Sequence, residues 1–202
     1  MNVLLTGGAG YIGSHAALSL LDKGHSVHIV DNLSTGSKLL IPKNAKFTNC
    51  NINDESKISD LIKSDKFDLL MHFAGFIQVE ESVQQPEKYF ENNTNNAIKL
   101  FNICKKKGLT KIVFSSTAAA YGLVHQSKLI DEHTNLNPQN PYAESKIKTE
   151  KFLFDNKDNF QFIILRYFNV AGADKKLRSG QISKKINSFN KNIIRGCSGK
   201  KR

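Results

Sequence analysis

The sequence contains no tryptophan and only three cysteines among its 202 residues. Cys50, Cys104 and Cys197 are odd in number and far apart, and no pair has the two-residue spacing that zinc sites use. This pattern argues against a disulfide framework and against a metal site built on cysteine. The six histidines show no ligand spacing either. We therefore predict reduced thiols, as in a cytoplasmic protein, and no bound metal.

Long apolar runs are also missing. No stretch is long enough to cross a bilayer, and residues 1–13 lack the basic start of a signal peptide and are interrupted by glycines. The composition, with 40% hydrophobic and 23% charged residues, is typical of a globular domain in water. These features predict one substantial domain without membrane contact.

Acidic residues are absent from the last part of the chain. Residues 175–202 contain ten Lys or Arg and no Asp or Glu, whereas the rest holds 19 basic and 18 acidic residues. The net charge of +11 therefore belongs to one segment. Only this segment would support a nucleic-acid-binding function, because the rest of the chain is nearly neutral. We therefore favour a solvated basic tail.

Strand and helix patterns alternate along the sequence. Apolar strand patterns occupy residues 2–6, 26–31, 45–50, 68–75, 111–116 and 160–168, and helical patterns occupy 11–23, 54–65, 86–107 and 142–154. This alternation predicts an α/β fold with a doubly wound parallel sheet. The strands are continuously apolar, as a sheet covered on both faces requires.

A glycine-rich turn follows the first predicted strand. In TGGAGYIG, Gly7, Gly10 and Gly13 are spaced by three, and Asp31 ends the second strand 18 residues after Gly13. Between a strand and a helix, this pattern predicts a dinucleotide site with the pyrophosphate at the helix N-terminus. Asp31 would bind a ribose diol and repel a 2′-phosphate, which favours NAD over NADP. The alternative is a tight turn beside a solvent-facing aspartate.

The stretch PYAESK places Tyr142 and Lys146 four residues apart, on one face of a helix. Lysine is frequent in this chain, so the pair alone is weak evidence. However, FSST ends a strand at Thr117, and ligands bind beyond the carboxyl ends of parallel strands. We predict that Thr117, Tyr142 and Lys146 converge near a nicotinamide, where the ammonium and the positive nicotinamide of NAD⁺ both favour a tyrosinate base.

Five motifs in this order, TGGAGYIG, HFAG, FSST…YG, PYAESK and RYFN, resemble the extended short-chain dehydrogenase/reductase family. Within it, the chain is most similar to members that epimerise C4 of UDP-hexoses. The resemblance covers about residues 1–175, which we interpret as a Rossmann-type NAD-binding domain, with 176–202 as a basic tail. It implies NAD as cofactor, a UDP-sugar such as UDP-glucose or UDP-galactose as substrate, and transient oxidation to the 4-keto sugar.

The resemblance also implies roles for individual residues. Tyr142 would take the proton of the sugar 4-hydroxyl, and Lys146 would lower the pKa of Tyr142 and bind the nicotinamide ribose. Thr117 would hydrogen-bond the 4-oxygen, with Ser116 as the other candidate, and Asn169 would contact the sugar nucleotide. The implied cofactor contacts are Gly7, Gly10, Tyr11, Ile12, Gly13, Asp31, Asn32, Ser34, Gly36, Asn51, Ile52, Phe73, Ala74, Gly75, Asn92, Tyr142, Lys146 and Phe168.

Some positions differ from family members of other kinds. Ala118 and Ala119 stand where dehydratases carry an Asp–Glu pair, so the sequence favours an epimerase over a dehydratase or reductase. Ile77 stands where well-known members often have Lys, and Asn51 where Asp is common. In the family, helices corresponding to 86–107 and 142–154 pair subunits, which implies a homodimer.

The resemblance fades after Lys185. Relatives continue into a region that grips the uridine, which leads us to expect a C-terminally truncated chain and, as an alternative to an enzyme, an inactive NAD-binding fragment. Ile186, Phe189, Ile193 and Ile194 would line one helical stripe in the final segment.

Overall fold

The computed structural model describes residues 1–123 and 129–182. Its described part contains a six-stranded sheet in the order β3-β2-β1-β4-β5-β6. The strands are β1 (Asn2–Thr6), β2 (Ser26–Asp31), β3 (Lys46–Asn49), β4 (Leu69–His72), β5 (Lys111–Ser115) and β6 (Gln161–Leu165). All neighbouring strands are parallel. This confirms the doubly wound fold, whose strand order reverses between β1 and β4 and opens a crevice there.

Six α-helices are described. They are α1 (Tyr11–Asp22), α2 (Glu55–Asp65), α3 (Val79–Gln84), α4 (Pro86–Tyr89), α5 (Asn96–Lys106) and α6 (Pro141–Asp155). The side chains of Asp54 and Asn140 cap α2 and α6 by accepting hydrogen bonds from backbone N–H groups. Pro141 occupies the first position of α6, where its missing N–H costs nothing.

The core lies on both faces of the sheet, as the apolar strands predict. Leu4 and Leu5 of β1 are fully buried on opposite faces, because side chains alternate along a strand. The larger cluster includes Phe101 of α5 and Phe114 of β5. Cys50 and Cys104 are buried free thiols, as expected for core cysteines. Cys197 lies outside the described residues.

The chain is helical from Pro86 to Lys106, as predicted, but it is not α-helical throughout. A π-helical turn, Phe90–Asn95, separates α4 from α5. The wider turn directs Asn93 into the interior, where its side-chain amide bonds both the N–H and the C=O of Phe76, at 2.8 and 2.9 Å. Helix α3, which directly precedes α4, was not predicted; its six residues are too few to show a clear helical period.

The chain after β6 packs over α1 as far as it is described. The Tyr11 hydroxyl donates to the carbonyl of Gly172 at 2.5 Å, and the hydroxyls of Ser14 and Ser179 are 2.8 Å apart. Arg178 forms an ion pair with Asp22 at 2.7 Å. The predicted stripe from Ile186 to Ile194, and most of the basic tail, lie outside the described residues. None of the described helices is long and apolar enough to cross a membrane.

Candidate active site

The glycine turn between β1 and α1 has a shape that only glycine permits. Gly7 adopts φ +76°, and a Cβ atom there would lie 2.4 Å from the backbone nitrogen of Ala74. A Cβ on Gly13 would lie 2.2 Å from the Gly7 carbonyl oxygen. No side chain caps the N-terminus of α1. Its first N–H groups therefore face the turn and can receive an anion such as a pyrophosphate.

Asp31 is held beside this turn. Its carboxylate accepts hydrogen bonds from the N–H groups of Ala9, at 3.0 Å, and Leu33, at 2.8 Å. The residue is only 9% exposed, so the alternative of a solvent-facing aspartate is wrong. Gly36 lies against the same turn, because a Cβ there would approach that of Ala9 to 2.8 Å. The carboxylate keeps lone pairs that a ribose diol can use.

Two predicted adenosine-side residues meet at the surface. The Asn32 amide donates to the side-chain oxygen of Asn51 at 2.7 Å, and the N–H of Ser34 donates to Asn32 at 3.0 Å. Ile52, the neighbour of Asn51, is instead half-buried and packs against the core. The loops after β2 and β3 therefore meet beside the glycine turn.

The segment after β4 connects the glycine turn with the tyrosine–lysine pair. Phe73 donates its N–H to Thr6 at 3.0 Å, and Ala74 lies against Gly7. A Cβ on Gly75 would lie 3.1 Å from both the Lys146 Nζ and the Asn93 Oδ1. The absence of a side chain at Gly75 therefore allows the ammonium to approach the strand end.

Asn93 was not identified from the sequence, which pointed to Asn92 instead. Asn93 is 1% exposed and binds the backbone of Phe76, next to Gly75, whereas Asn92 donates to the Asn93 side chain at 2.9 Å. The π-helical turn brings Asn93 inward. Two adjacent asparagines carry no local signal that distinguishes them, so only the turn geometry shows which one is buried.

Lys146 is buried against the end of β5. It is 3% exposed, and its ammonium donates to the Ser115 carbonyl at 3.0 Å and lies 5.1 Å from the centre of the Phe114 ring. Burial lowers the pKa of Lys146 from 10.5 to about 8, and the negative charge of Glu150 opposes this shift. The group therefore remains cationic at neutral pH.

Tyr142 and Thr117 lie together. Burial raises the pKa of Tyr142, and a hydrogen bond with Thr117 opposes that rise. Desolvation of the phenolate is the larger of these two effects. Thr117 is itself buried, and its hydroxyl accepts a hydrogen bond from the N–H of Ala119 at 3.1 Å. The ring of Tyr142 packs edge-on against Tyr89.

Other predicted site residues are exposed, or their side chains are already hydrogen-bonded to another residue. Phe168 is 74% exposed, and Asn169, after it, is also exposed. Within the described residues, neither forms a hydrogen bond or ring contact with Tyr142 or Lys146. The Ser116 hydroxyl donates to the carboxylate of Glu150, which leaves Thr117 as the hydroxyl beside the phenol. Ile77, which stands where well-known family members often have Lys, is exposed.

The chain is similar in sequence to known proteins over most of its length. The family model described as NAD dependent epimerase/dehydratase family matches residues 3–201. The UDP-glucose 4-epimerase of Lactobacillus helveticus is 43% identical over 175 residues, which are 86% of this chain and 53% of the relative. The chain thus spans about half the length of such curated relatives.

Solved structures agree with this assignment. A crystal structure of a UDP-glucose 4-epimerase matches with a TM-score of 0.92 and 37% identity, over 100% of this chain and 62% of that one. The UDP-glucose 4-epimerase of Brucella ovis in complex with NAD has a TM-score of 0.90 and 32% identity, over 96% of this chain and 60% of that one. The chain belongs to the NAD dependent epimerase/dehydratase family.

Proposed function

We propose that this chain carries the NAD-binding and catalytic residues of an epimerase that inverts C4 of a UDP-hexose. The observation that carries the proposal is the meeting of Thr117, Tyr142 and Lys146 at the carboxyl edge of the sheet. Gly75 joins that edge to the glycine turn. Residues 1–175 would form the NAD-binding domain, with 176–202 as an appended basic segment.

The residues at the β1–β4 crevice fit a dinucleotide. Gly7 and Gly13 keep the turn free of side-chain atoms, and the uncapped start of α1 offers N–H groups to a pyrophosphate. Asp31 would accept hydrogen bonds from the adenosine ribose, and its charge disfavours a 2′-phosphate. When bound, NAD⁺ would supply reversible two-electron oxidation of the sugar carbon.

The site residues would handle the proton of the sugar 4-hydroxyl. Tyr142 would remove it as a phenolate, and the Thr117 hydroxyl would orient the 4-oxygen. Because burial raises the pKa of Tyr142, the phenolate requires positive charge nearby, which the Lys146 ammonium and the nicotinamide of bound NAD⁺ would provide. The same tyrosine would return the proton after the 4-keto sugar has turned over, so the reaction leaves the enzyme unchanged.

The proposal is tested by assaying the purified chain with NAD⁺ and UDP-galactose and measuring UDP-glucose. A Tyr142→Phe variant keeps the ring but removes the base, so its kcat should fall about a hundredfold or more. Calorimetry should show that the variant still binds NAD⁺, with at most the loss expected from one hydroxyl contact, so that the fall in kcat can be assigned to the missing base. N-acetylated UDP-hexoses, tested in parallel, would define the sugar.

Other results would contradict the proposal. NAD⁺ binding without turnover of any UDP-hexose would favour the second candidate, an NAD-binding chain that is not itself an enzyme. That candidate is motivated by coverage of only about half of the curated relatives' length. Equal turnover by the wild type and Tyr142→Phe would exclude Tyr142 as the base.

We also propose a homodimer formed through helices 86–107 and 142–154. Their outward faces carry apolar side chains that are only half-buried, among them Ile98 and Ile147. Light scattering on the purified chain measures its mass directly. An Ile147→Glu variant should shift a dimer toward monomer, and a monomeric wild type would refute the proposal.

A further inference from the structure

One face of α6 contacts three consecutive residues at the end of β5. Tyr142, Lys146 and Glu150 are four residues apart and therefore lie on the same side of the helix. Tyr142 meets the Thr117 hydroxyl, Lys146 donates to the Ser115 carbonyl, and Glu150 accepts from the Ser116 hydroxyl. Only the first two of these helix residues were predicted as site residues.

Glu150 is a buried carboxylate with charged and neutral partners. It is 1% exposed, and the Arg166 guanidinium donates to it through Nε, at 3.1 Å to each oxygen, and through Nη2 at 2.5 Å. Arg166 also donates to the Tyr121 hydroxyl at 3.1 Å. The carboxylate therefore links α6 to the chain after β6 and, through Ser116, to the end of β5.

The titratable groups around Lys146 are few in the described chain. His72, across on β4, is neutral because burial and the Lys146 charge lower its pKa to about 3. Tyr142 and Tyr167 are neutral near pH 7, because burial raises the pKa of each phenol. Glu150 is the group whose negative charge opposes the desolvation of Lys146, and the Arg166 guanidinium is paired with that carboxylate.

We propose that Glu150 is a positioning residue for the Tyr142–Lys146–Thr117 site, which holds the 115–117 segment through Ser116 and keeps the buried Lys146 ammonium charged. A catalytic role for Glu150 rests on the proposed function, in which a charged Lys146 would favour the Tyr142 phenolate. The charge coupling between Glu150 and Lys146 can be measured whether or not the chain turns over a substrate.

The coupling is tested by NMR titration of the full chain with ¹³C-labelled lysine side chains, without substrate. Lys146 should titrate near pH 8, below the exposed lysines, and a Lys146→Met variant identifies its signal. Glu150→Gln keeps an acceptor for Arg166 and Ser116 but removes the charge. It should lower the Lys146 midpoint by about one pH unit or more. The alkaline limb of any kcat profile should move the same way.

A matched control separates charge from structure. Ser116→Ala removes a hydrogen bond to Glu150 but no charge, so its Lys146 midpoint should equal that of the wild type. If Glu150→Gln does not fold, Glu150→Gln/Arg166→Met replaces the whole ion pair, which proteins often tolerate. Because it also removes a positive charge, its downward shift should be smaller than that of Glu150→Gln but still present.

Two results would overturn the inference. An unshifted Lys146 midpoint in a folded Glu150→Gln or double variant overturns the inference, and so does an equal shift in Ser116→Ala. A shifted midpoint in a chain that does not convert any UDP-hexose keeps the coupling and refutes the proposed function.

Discussion

Replacing Gly7 by alanine should damage both the fold and NAD⁺ binding, for two separable reasons. The left-handed backbone, with φ +76°, costs an L-residue about 1–2 kcal/mol. The new Cβ would also lie 2.4 Å from the Ala74 nitrogen, and relieving such an overlap in a packed interior costs about 1–3 kcal/mol more. We therefore expect the free energy of unfolding to fall by about 2–5 kcal/mol.

Gly24 provides the matched control. It has φ +77°, nearly the same as Gly7, but nothing lies within 4 Å of the Cβ that alanine would add. Gly24→Ala should therefore cost only the backbone strain, about 1–2 kcal/mol. Urea denaturation of both variants measures the difference, which isolates the close approach of Ala74.

NAD⁺ binding should distinguish the two variants further. Separating β4 from the glycine turn moves Ala74 and changes the anion-binding geometry. We expect calorimetry to show a Kd raised about tenfold or more for Gly7→Ala, equal to about 1.4 kcal/mol, and unchanged for Gly24→Ala. Equal losses of stability together with equal Kd values would refute the claim that the close approach shapes the site.

Two further outcomes follow from buried polar groups. Burial lowers the pKa of Lys146 from 10.5 to about 8. Between these two pH values the unfolded chain binds more protons than the folded chain, so the contribution of Lys146 to the free energy of unfolding rises with pH. Relative to wild type, Lys146→Met should therefore gain about 2 kcal/mol more unfolding free energy at pH 7 than near pH 9.5, and a pH-independent gain would contradict the assigned shift. Asn93→Ala leaves the N–H and C=O of Phe76 unpaired, at about 1–3 kcal/mol each, and urea denaturation should show a larger loss than for the neighbouring Asn92→Ala. Similar losses for the two asparagines would mean that Asn93 does not hold the strand-end segment.

The sequence alone predicted the parallel sheet and most of its elements. Alternating strand and helix patterns led to the parallel sheet because each pattern depends on local periodicity. The glycine spacing around Gly7 and Gly13 and the four-residue spacing of Tyr142 and Lys146 are likewise local features. Even so, the predicted ends of β4 and β6 extended beyond His72 and Leu165, since apolar residues continue past the last residues that the strands contain.

The tertiary structure decided which polar groups are buried and how they pair. The π-helical turn that buries Asn93, the pairing of Glu150 with Arg166, and the burial of Asp31 depend on contacts between residues distant in sequence. Burial also raises the pKa of Tyr142, an effect that depends on the surrounding packing and not on the spacing to a lysine. Local spacing can place two groups on one helix face, but only the folded chain determines their electrostatic environment.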